Sequence, residues 1–268
     1  FDNKINDLSA IWEMDRLTSF SMDRCFDIAS VAELKNLVEL EIIYGDISDS
    51  DSLKRLTKLR TLILHACNIN NVDFISYMPL LSSINFAKNN ISEIKALQGL
   101  KHIETVEIWE NKIKDLSPLK DLVTIRVLDI SSNPICWDSC KLSDLKCLPY
   151  IKKIGLYGLA TDYIQIKKAH NLKEIHLGGI ELEDIAFISS HQNIESISLT
   201  GSSVREISSL TKLPKLKEVW MGGNEKIEDY SPIHQLRTKG IEVYMDGWEI
   251  NKNFVELHPE LKQFIPEE

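Results

Sequence analysis

Residues 100–122 read Leu-Lys-His-Ile-Glu-Thr-Val-Glu-Ile-Trp-Glu-Asn-Lys-Ile-Lys-Asp-Leu-Ser-Pro-Leu-Lys-Asp-Leu, and their spacing decides the fold. Counted from Leu100, apolar residues stand at offsets 0, 3, 6, 8, 13, 16, 19 and 22, and Asn111 stands at offset 11. Segments 56–78 and 78–100 repeat this spacing. A fixed 22-residue period predicts a solenoid, in which successive repeats stack and share one core.

Each repeat is predicted to contain one short strand, because offsets 5 to 10 alternate between apolar and polar residues. Eleven strands can be placed, from the inward pair Phe20/Met22 to the inward pair Ile241/Val243. Equivalent strands of successive repeats run in the same direction. The predicted fold is therefore an α/β solenoid shaped like a horseshoe, with a parallel concave sheet of about 11 strands and short helices or 3-10 turns on the convex side. Ser117-Pro118 suits the start of such a turn.

The consensus L-x-x-L-x-x-L-x-L-x-x-N-x-I-x-x-I/L-x-x-L is similar to the 22-residue leucine-rich repeats of the SDS22-like class, which includes bacterial internalins. The stretch 111–122 looks most like an internalin repeat. The resemblance covers residues 1 to about 245. It implies a curved solenoid whose concave sheet binds another protein, and the internalin likeness favours a bacterial source. No internalin-type cap, immunoglobulin-like domain or cell-wall sorting signal is visible in this sequence. No named ligand is carried over, because shared repeats indicate architecture and not the partner.

The predicted domain boundaries are 1–247 for the solenoid and 248–268 for a C-terminal cap. Ile5 and Leu8 already fit the repeat, so the chain is expected to begin inside a repeat whose strand lies upstream. The repeat from Leu122 to Leu148 is 26 residues long, and Cys136–Cys140 lies in the excess. This insertion is read either as a longer convex helix with Trp137 in the core or as a binding loop.

Composition excludes some classes of protein. The chain contains no run of 18 apolar residues, so no membrane span is predicted. Five cysteines are an odd number and favour free thiols in the cytoplasm; a secreted or cell-surface protein with a Cys136–Cys140 bridge is the alternative. No catalytic motif, metal-ligand spacing or phosphate loop is present, so no catalytic residue, metal or cofactor is predicted.

The positions predicted to face outward from the concave sheet are mainly acidic. Nine carry carboxylates and three carry cations, in a chain whose net charge is −9. Such a surface attracts a basic protein and disfavours nucleic acid. Glycines gather at the strand ends of the later repeats, where they either open a groove or satisfy backbone geometry.

Aromatic residues share these outward positions, and exposed Trp and Tyr are typical of binding hot spots. The sequence predicts a central site around Trp109 and a second one around Trp220. The predicted partner-binding residues are Glu41, Tyr44, His65, Glu107, Trp109, Glu110, Asp129, Tyr157, His176, Trp220 and Tyr244.

These patterns predict a non-catalytic protein-binding module that is monomeric apart from its partner. Three alternatives are kept open: a bacterial surface or secreted adhesion protein of the internalin type, an immunity-type inhibitor of a cationic toxin, and an enzyme or enzyme subunit.

Overall fold

The computed structural model of the chain describes residues 8–11, 13–47, 49–159, 163–179, 182–224 and 226–245. The N-terminal start at Ile5 and the predicted cap at 248–268 lie outside these residues.

Eleven strands form one parallel sheet whose spatial order is the chain order. They are β1 Ser19–Asp23, β2 Glu39–Ile43, β3 Thr61–His65, β4 Ser83–Asn85, β5 Thr105–Glu107, β6 Val127–Asp129, β7 Lys153–Gly155, β8 Glu174–His176, β9 Ser196–Ser198, β10 Glu218–Trp220 and β11 Glu242–Tyr244. This confirms the predicted solenoid with its eleven-stranded sheet.

The second half of each repeat returns through short helical turns. Two are α-helices, α1 Ile28–Val31 and α2 Ser231–Thr238. The others are 3-10 helices, at Ser9–Ile11, Ser50–Arg55, Asp73–Tyr77, Lys95–Gly99, Ser117–Leu119, Leu142–Asp144, Leu148–Tyr150, Tyr163–Lys168, Ala186–Ser190 and Ser208–Lys212. Between these turns and the sheet lies one continuous core of leucine, isoleucine and valine side chains.

The last strand differs from its prediction. Val219 pairs with Val243, so β11 is displaced by two residues from the predicted inward pair Ile241/Val243. The physical reason is α2, whose eight residues lengthen the return segment beyond the shorter turns of the other repeats. The displacement sets Tyr244 directly beside Trp220 on the neighbouring strand.

The asparagine at offset 11 explains why the period is kept. Asn89 lies buried, where its Oδ1 accepts hydrogen bonds from the backbone N–H groups of Cys67 (2.9 Å) and Ile69 (3.0 Å). Its Nδ2 donates to the carbonyl oxygens of Leu64 (2.8 Å) and Phe86 (2.9 Å). A single amide thereby satisfies backbone groups that the ends of the short strands leave unpaired.

Where asparagine is missing from this column, a smaller side chain does part of the same work. The Cys67 thiol donates to the Ile42 carbonyl (3.2 Å), and the Ser202 hydroxyl donates to the Leu177 carbonyl (3.3 Å). Both carbonyls lie 25 residues earlier, the same separation as from Asn89 to Leu64. At Gly45 a Cβ would come within 2.8 Å of a backbone oxygen, so this position has no room for a side chain.

The residue before this column has a left-handed backbone in ten successive repeats, with φ between +51° and +74°. In the first six repeats it is not glycine, and in the last four it is; in order the residues are Arg24, Tyr44, Ala66, Lys88, Glu110, Ser132, Gly158, Gly179, Gly201 and Gly223. The strand-end glycines of the later repeats therefore satisfy a backbone requirement that the earlier repeats meet with strained residues.

The long repeat does not contain the single longer helix that was one of its two readings. It has two separate 3-10 turns, at Leu142–Asp144 and Leu148–Tyr150. Trp137 is half-buried and packs on the core, while Cys140 is buried and Cys136 is exposed. All five cysteines are free thiols.

Candidate binding surface

Two columns of side chains cross the outward side of the sheet, and the residues at the strand ends complete what we call the concave face. From β1 to β11 the first column is Ser19, Glu39, Thr61, Ser83, Thr105, Val127, Lys153, Glu174, Ser196, Glu218 and Glu242. The second is Ser21, Glu41, Ile63, Asn85, Glu107, Asp129, Gly155, His176, Ser198, Trp220 and Tyr244. Tyr44, His65, Lys88, Trp109, Glu110 and Tyr157 lie at the strand ends.

An aromatic cluster occupies the N-terminal half of this face. The rings of Tyr44 and His65 meet edge to face with centroids 6.0 Å apart, and those of His65 and Trp109 lie 5.4 Å apart. Lys88 places its Nζ 5.1 Å from the centre of the Trp109 ring. Burial and the charge of Lys88 lower the pKa of His65, against the opposing effect of Glu110. The structure thus brings together four of the predicted residues and adds Lys88.

At the N-terminal edge, Glu41 is held by its neighbour, because the Ser21 hydroxyl donates to its carboxylate (2.9 Å). Toward the middle of the sheet the carboxylates are more enclosed. Asn85 donates to Glu107 (3.0 Å), and burial raises the pKa of Glu107; Lys153 opposes the rise and nearby Asp129 adds to it.

Asp129 lies on the predicted face but is only 8% exposed. Its carboxylate accepts a hydrogen bond from the Ser131 N–H (3.0 Å) and fills the space beside Gly155 on the next strand, where a Cβ would come within 2.2 Å of it. The residue therefore contributes charge to this face rather than an accessible contact. The glycine one strand along was the sequence signal for this burial.

Lys153, Glu174 and His176 form a small polar network on β7 and β8. Glu174 lies 2.8 Å from the Lys153 ammonium and 2.8 Å from the His176 imidazole. Burial alone would raise the pKa of Glu174, but its bonds to Lys153 and His176 outweigh burial and the pKa is lowered. His176 is thus a hydrogen-bond partner of Glu174 within the chain as well as a predicted contact residue.

Tyr157 rests on the backbone of the following repeat. A Cβ at Gly178 or Gly179 would lie 2.6 Å or 2.7 Å from its ring atoms, so the two glycines make room for the ring. Tyr157 still exposes 42% of its surface. These glycines therefore support an aromatic platform, an explanation that the sequence pattern alone did not provide.

The C-terminal half ends in a second aromatic pair. The Trp220 and Tyr244 rings are stacked, with centroids 4.1 Å apart and planes inclined by 18°. Trp220 is 41% exposed, and the Tyr244 hydroxyl donates to Glu242. Glu218 and Glu242 precede the two rings in the adjacent column.

Catalytic chemistry has little support on this face. Cys67, two residues from His65, points into the core, and burial raises its pKa to about 12. Within the described ranges, no group of three or more His, Cys, Asp or Glu side chains is arranged to hold a metal ion. Over the same ranges, no helix has both the length and the apolar character needed to cross a membrane.

A parallel sheet built from one strand per repeat, backed by 3-10 turns, is the architecture of leucine-rich repeat proteins, and this chain has it. The fold is internalin-like. An internalin (InlF) from Listeria monocytogenes matches 92% of this chain and 78% of its own length, with a TM-score of 0.73 at 19% identity. The chain matches no family model and no curated protein sequence.

Two further solved structures share the fold. A leucine-rich repeat protein of Leptospira interrogans matches 88% of this chain and 74% of its own length, with a TM-score of 0.60 at 15% identity. The ectodomain of the Arabidopsis thaliana receptor kinase GASSHO1/SCHENGEN3, solved in complex with CASPARIAN STRIP INTEGRITY FACTOR 2, matches 90% of this chain and 34% of its own length, with a TM-score of 0.57 at 15% identity. The likeness to the internalin, the Leptospira protein and the receptor ectodomain shows a shared leucine-rich repeat fold.

Proposed function

We propose that this protein is a non-catalytic binding module that holds a basic protein partner on its concave face. The observation that carries the proposal is the contiguous aromatic cluster of Tyr44, His65 and Trp109, which lies outside the core on a face where carboxylates outnumber cations. A sheet face that served only for solubility would not expose rings in contact with one another.

The cluster suits recognition by a preformed surface. The rings contact one another and Lys88 before any partner arrives, so little conformational freedom is lost on binding. Carboxylates such as Glu41 and Glu110 then set the orientation and association rate of a cationic partner. Replacing Trp109 and Glu110 together by Ala should weaken binding at least about tenfold, as expected for a hot spot, with little change in melting temperature.

Four exposed tyrosines allow a direct test of the face. Tyr44 and Tyr157 lie on the concave face, whereas Tyr77 and Tyr150 end 3-10 turns on the opposite side; their exposures are 58%, 42%, 54% and 51%. A photo-reactive benzoylphenylalanine is placed at each position in turn and irradiated in native lysate and on intact cells. Adducts with a basic protein from Tyr44 and Tyr157 only are expected. Adducts from Tyr77 and Tyr150 alone would refute the proposal.

A surface or secreted adhesion protein is the second candidate, favoured by the internalin-like fold, whereas the free thiols favour the cytoplasm. Chemical labelling of Cys136 can distinguish a surface location from a cytoplasmic one, because this thiol is exposed. The other cysteines, Cys25, Cys67, Cys140 and Cys147, are buried. A membrane-impermeant maleimide should label Cys136 on intact cells if the protein is at the surface, and only after lysis if it is cytoplasmic. A Cys136→Ser variant controls for labelling of other proteins.

An immunity-type inhibitor of a cationic toxin remains one form of the main proposal, since it requires the same face and the same charge. A basic nuclease recovered as the adduct at Tyr44 or Tyr157 would select it. An enzymatic role has no specific observation in its favour.

A further inference from the structure

Resting on the proposed function, we infer that Glu218, Trp220, Glu242 and Tyr244 form an anchor for one arginine side chain of the partner. We call these four residues the arginine box. They occupy corresponding positions on β10 and β11, with Glu218 beside Glu242 and Trp220 beside Tyr244. Residues two apart on a strand point to the same side, so all four side chains face outward together.

The two carboxylates lack a counter-charge within the described chain. Elsewhere the structure pairs such groups: Glu174 with Lys153, and Glu195 with both Lys173 and Lys217. Glu218 and Glu242 form no comparable ion pair with any described residue, although like charges on adjacent strands destabilise a sheet. A cation from outside would relieve this repulsion.

Three lysines border the same depression as Glu218 and Glu242, and each is engaged with another group. Lys173 and Lys217 bond to Glu195, and the Lys239 ammonium donates to the Thr211 carbonyl (2.9 Å). Glu242 accepts a hydrogen bond from the Tyr244 hydroxyl, but neither carboxylate has a lysine or arginine partner among the described residues.

The aromatic pair selects the shape of the cation. Trp220 and Tyr244 are stacked nearly parallel, and Trp220 keeps 41% of its surface exposed. A planar guanidinium can stack on such a ring while its forked N–H groups reach two carboxylates, whereas an ammonium has neither the plane nor the fork. Arginine therefore fits better than lysine.

The N-terminal cluster is less suited to a guanidinium, because its tryptophan already has a cation of this chain beside it. Lys88 lies 5.1 Å from the centre of the Trp109 ring, and His65 packs against that ring. The Trp109 cluster therefore offers an apolar contact, and the arginine box offers the cation site. The two halves of the concave face have different chemistry.

The test follows the indole N–H signals of the whole chain by nitrogen-15 NMR, with Trp220 assigned from a Trp220→Phe variant. N-acetyl-arginine amide is titrated against N-acetyl-lysine amide. The Trp220 signal should shift saturably with arginine, at least about tenfold more tightly than with lysine, while the Trp109 signal stays fixed. In a Glu218→Gln/Glu242→Gln variant the arginine response should fall at least about tenfold. A Glu110→Gln control should leave it unchanged.

Three results would overturn the inference: equal responses to arginine and lysine, a response that survives the double glutamine change, or none at Trp220. A box filled by residues 246–268, which contain no arginine, would give the last result. Cross-links from Tyr44 and Tyr157 together with a silent Trp220 would remove the box and leave the proposed function standing. A saturable arginine response at Trp220 together with cross-links from Tyr77 and Tyr150 alone would keep the arginine box and refute the proposed function.

Discussion

The left-handed column makes a quantitative prediction that does not depend on any partner. Gly201 has φ +68°, and a Cβ there would meet nothing closer than 3.7 Å. The Gly201→Ala variant therefore isolates the backbone cost from any steric cost. Ala66, with φ +53° at the same position of an earlier repeat, allows the reverse substitution, Ala66→Gly, to be tested. Gly99 is the control, because its Cβ would have open space and its φ is not positive.

The magnitudes follow from two opposing effects. A left-handed backbone costs an L-residue roughly 1–2 kcal/mol, whereas alanine restricts the unfolded chain and recovers about 0.4–1 kcal/mol relative to glycine. Gly201→Ala should therefore lower the free energy of unfolding by about 1 kcal/mol, and Ala66→Gly should raise it by about the same amount. Gly99→Ala has only the second effect and should raise it by about 0.5 kcal/mol.

Urea unfolding followed by circular dichroism measures all three variants, with an unchanged dependence on denaturant as the sign that only stability has moved. In melting temperature, each 1 kcal/mol corresponds to roughly 2–4 °C for a chain of this size. The Gly201→Ala/Ala66→Gly double variant should return close to the wild type, because the two sites are far apart and their effects add. If Gly201→Ala and Gly99→Ala change stability in the same direction, the backbone argument is wrong.

Three further predictions concern single side chains. His191→Leu should raise the free energy of unfolding by about 1 kcal/mol in urea titrations, since His191 is buried, its Nδ1 has no partner among the described residues, and Leu213 fills the corresponding position of the next repeat. A loss of stability would show that the Nε2 bond to the Ile166 carbonyl (2.9 Å) dominates. Asn111→Ala should cost about 3 kcal/mol, because its amide bonds to the backbone of Phe86, Ile91 and Ile108, and calorimetry giving a loss under about 1 kcal/mol would contradict this. Lys173 and Lys217 hold the pKa of Glu195 at about 2, so the stability that its ionised form contributes is present at neutral pH and is lost as pH falls from about 4.5 toward 2. Unfolding curves at pH 6 and pH 3 should therefore differ less for Glu195→Gln than for the wild type, and an equal difference would count against the ion pairs.

The repeat architecture was predictable from sequence because the signal for each strand and for each strand end lies within that segment. Alternation in segments such as 105–110 is a local property of strands, and Asn89 or Asn111 at a fixed offset marks the strand end in the same way. With a period of 22 residues, strand order and direction followed without any long-range information. The predicted placement of the aromatic residues outside the core depended on the same phase.

What sequence reasoning missed depends on neighbours one repeat away. The burial of Asp129 depends on Gly155. The cation beside the Trp109 ring is Lys88 of the preceding repeat, which a count of charges records only as one positive charge. The left-handed backbone at residues such as Tyr44 was hidden because only glycine signals that conformation in a sequence. The displacement of β11 came from α2, since a helix consumes residues at a different rate from a 3-10 turn.

Because the strands follow one another in chain order, the number of strands between two sites on the concave face sets the distance between those sites. Five strand spacings of about 4.8 Å separate β5 from β10, so the Trp109 cluster and the arginine box lie about 24 Å apart. A partner that touches both must present its apolar patch and its arginine at that distance. Removing the 22 residues 191–212, which contain β9, would bring the two sites closer by one strand spacing of about 4.8 Å. Every remaining strand would keep its position in the repeat. The number of repeats between the two sites can thus determine which partners fit, without a change in any residue that contacts the partner.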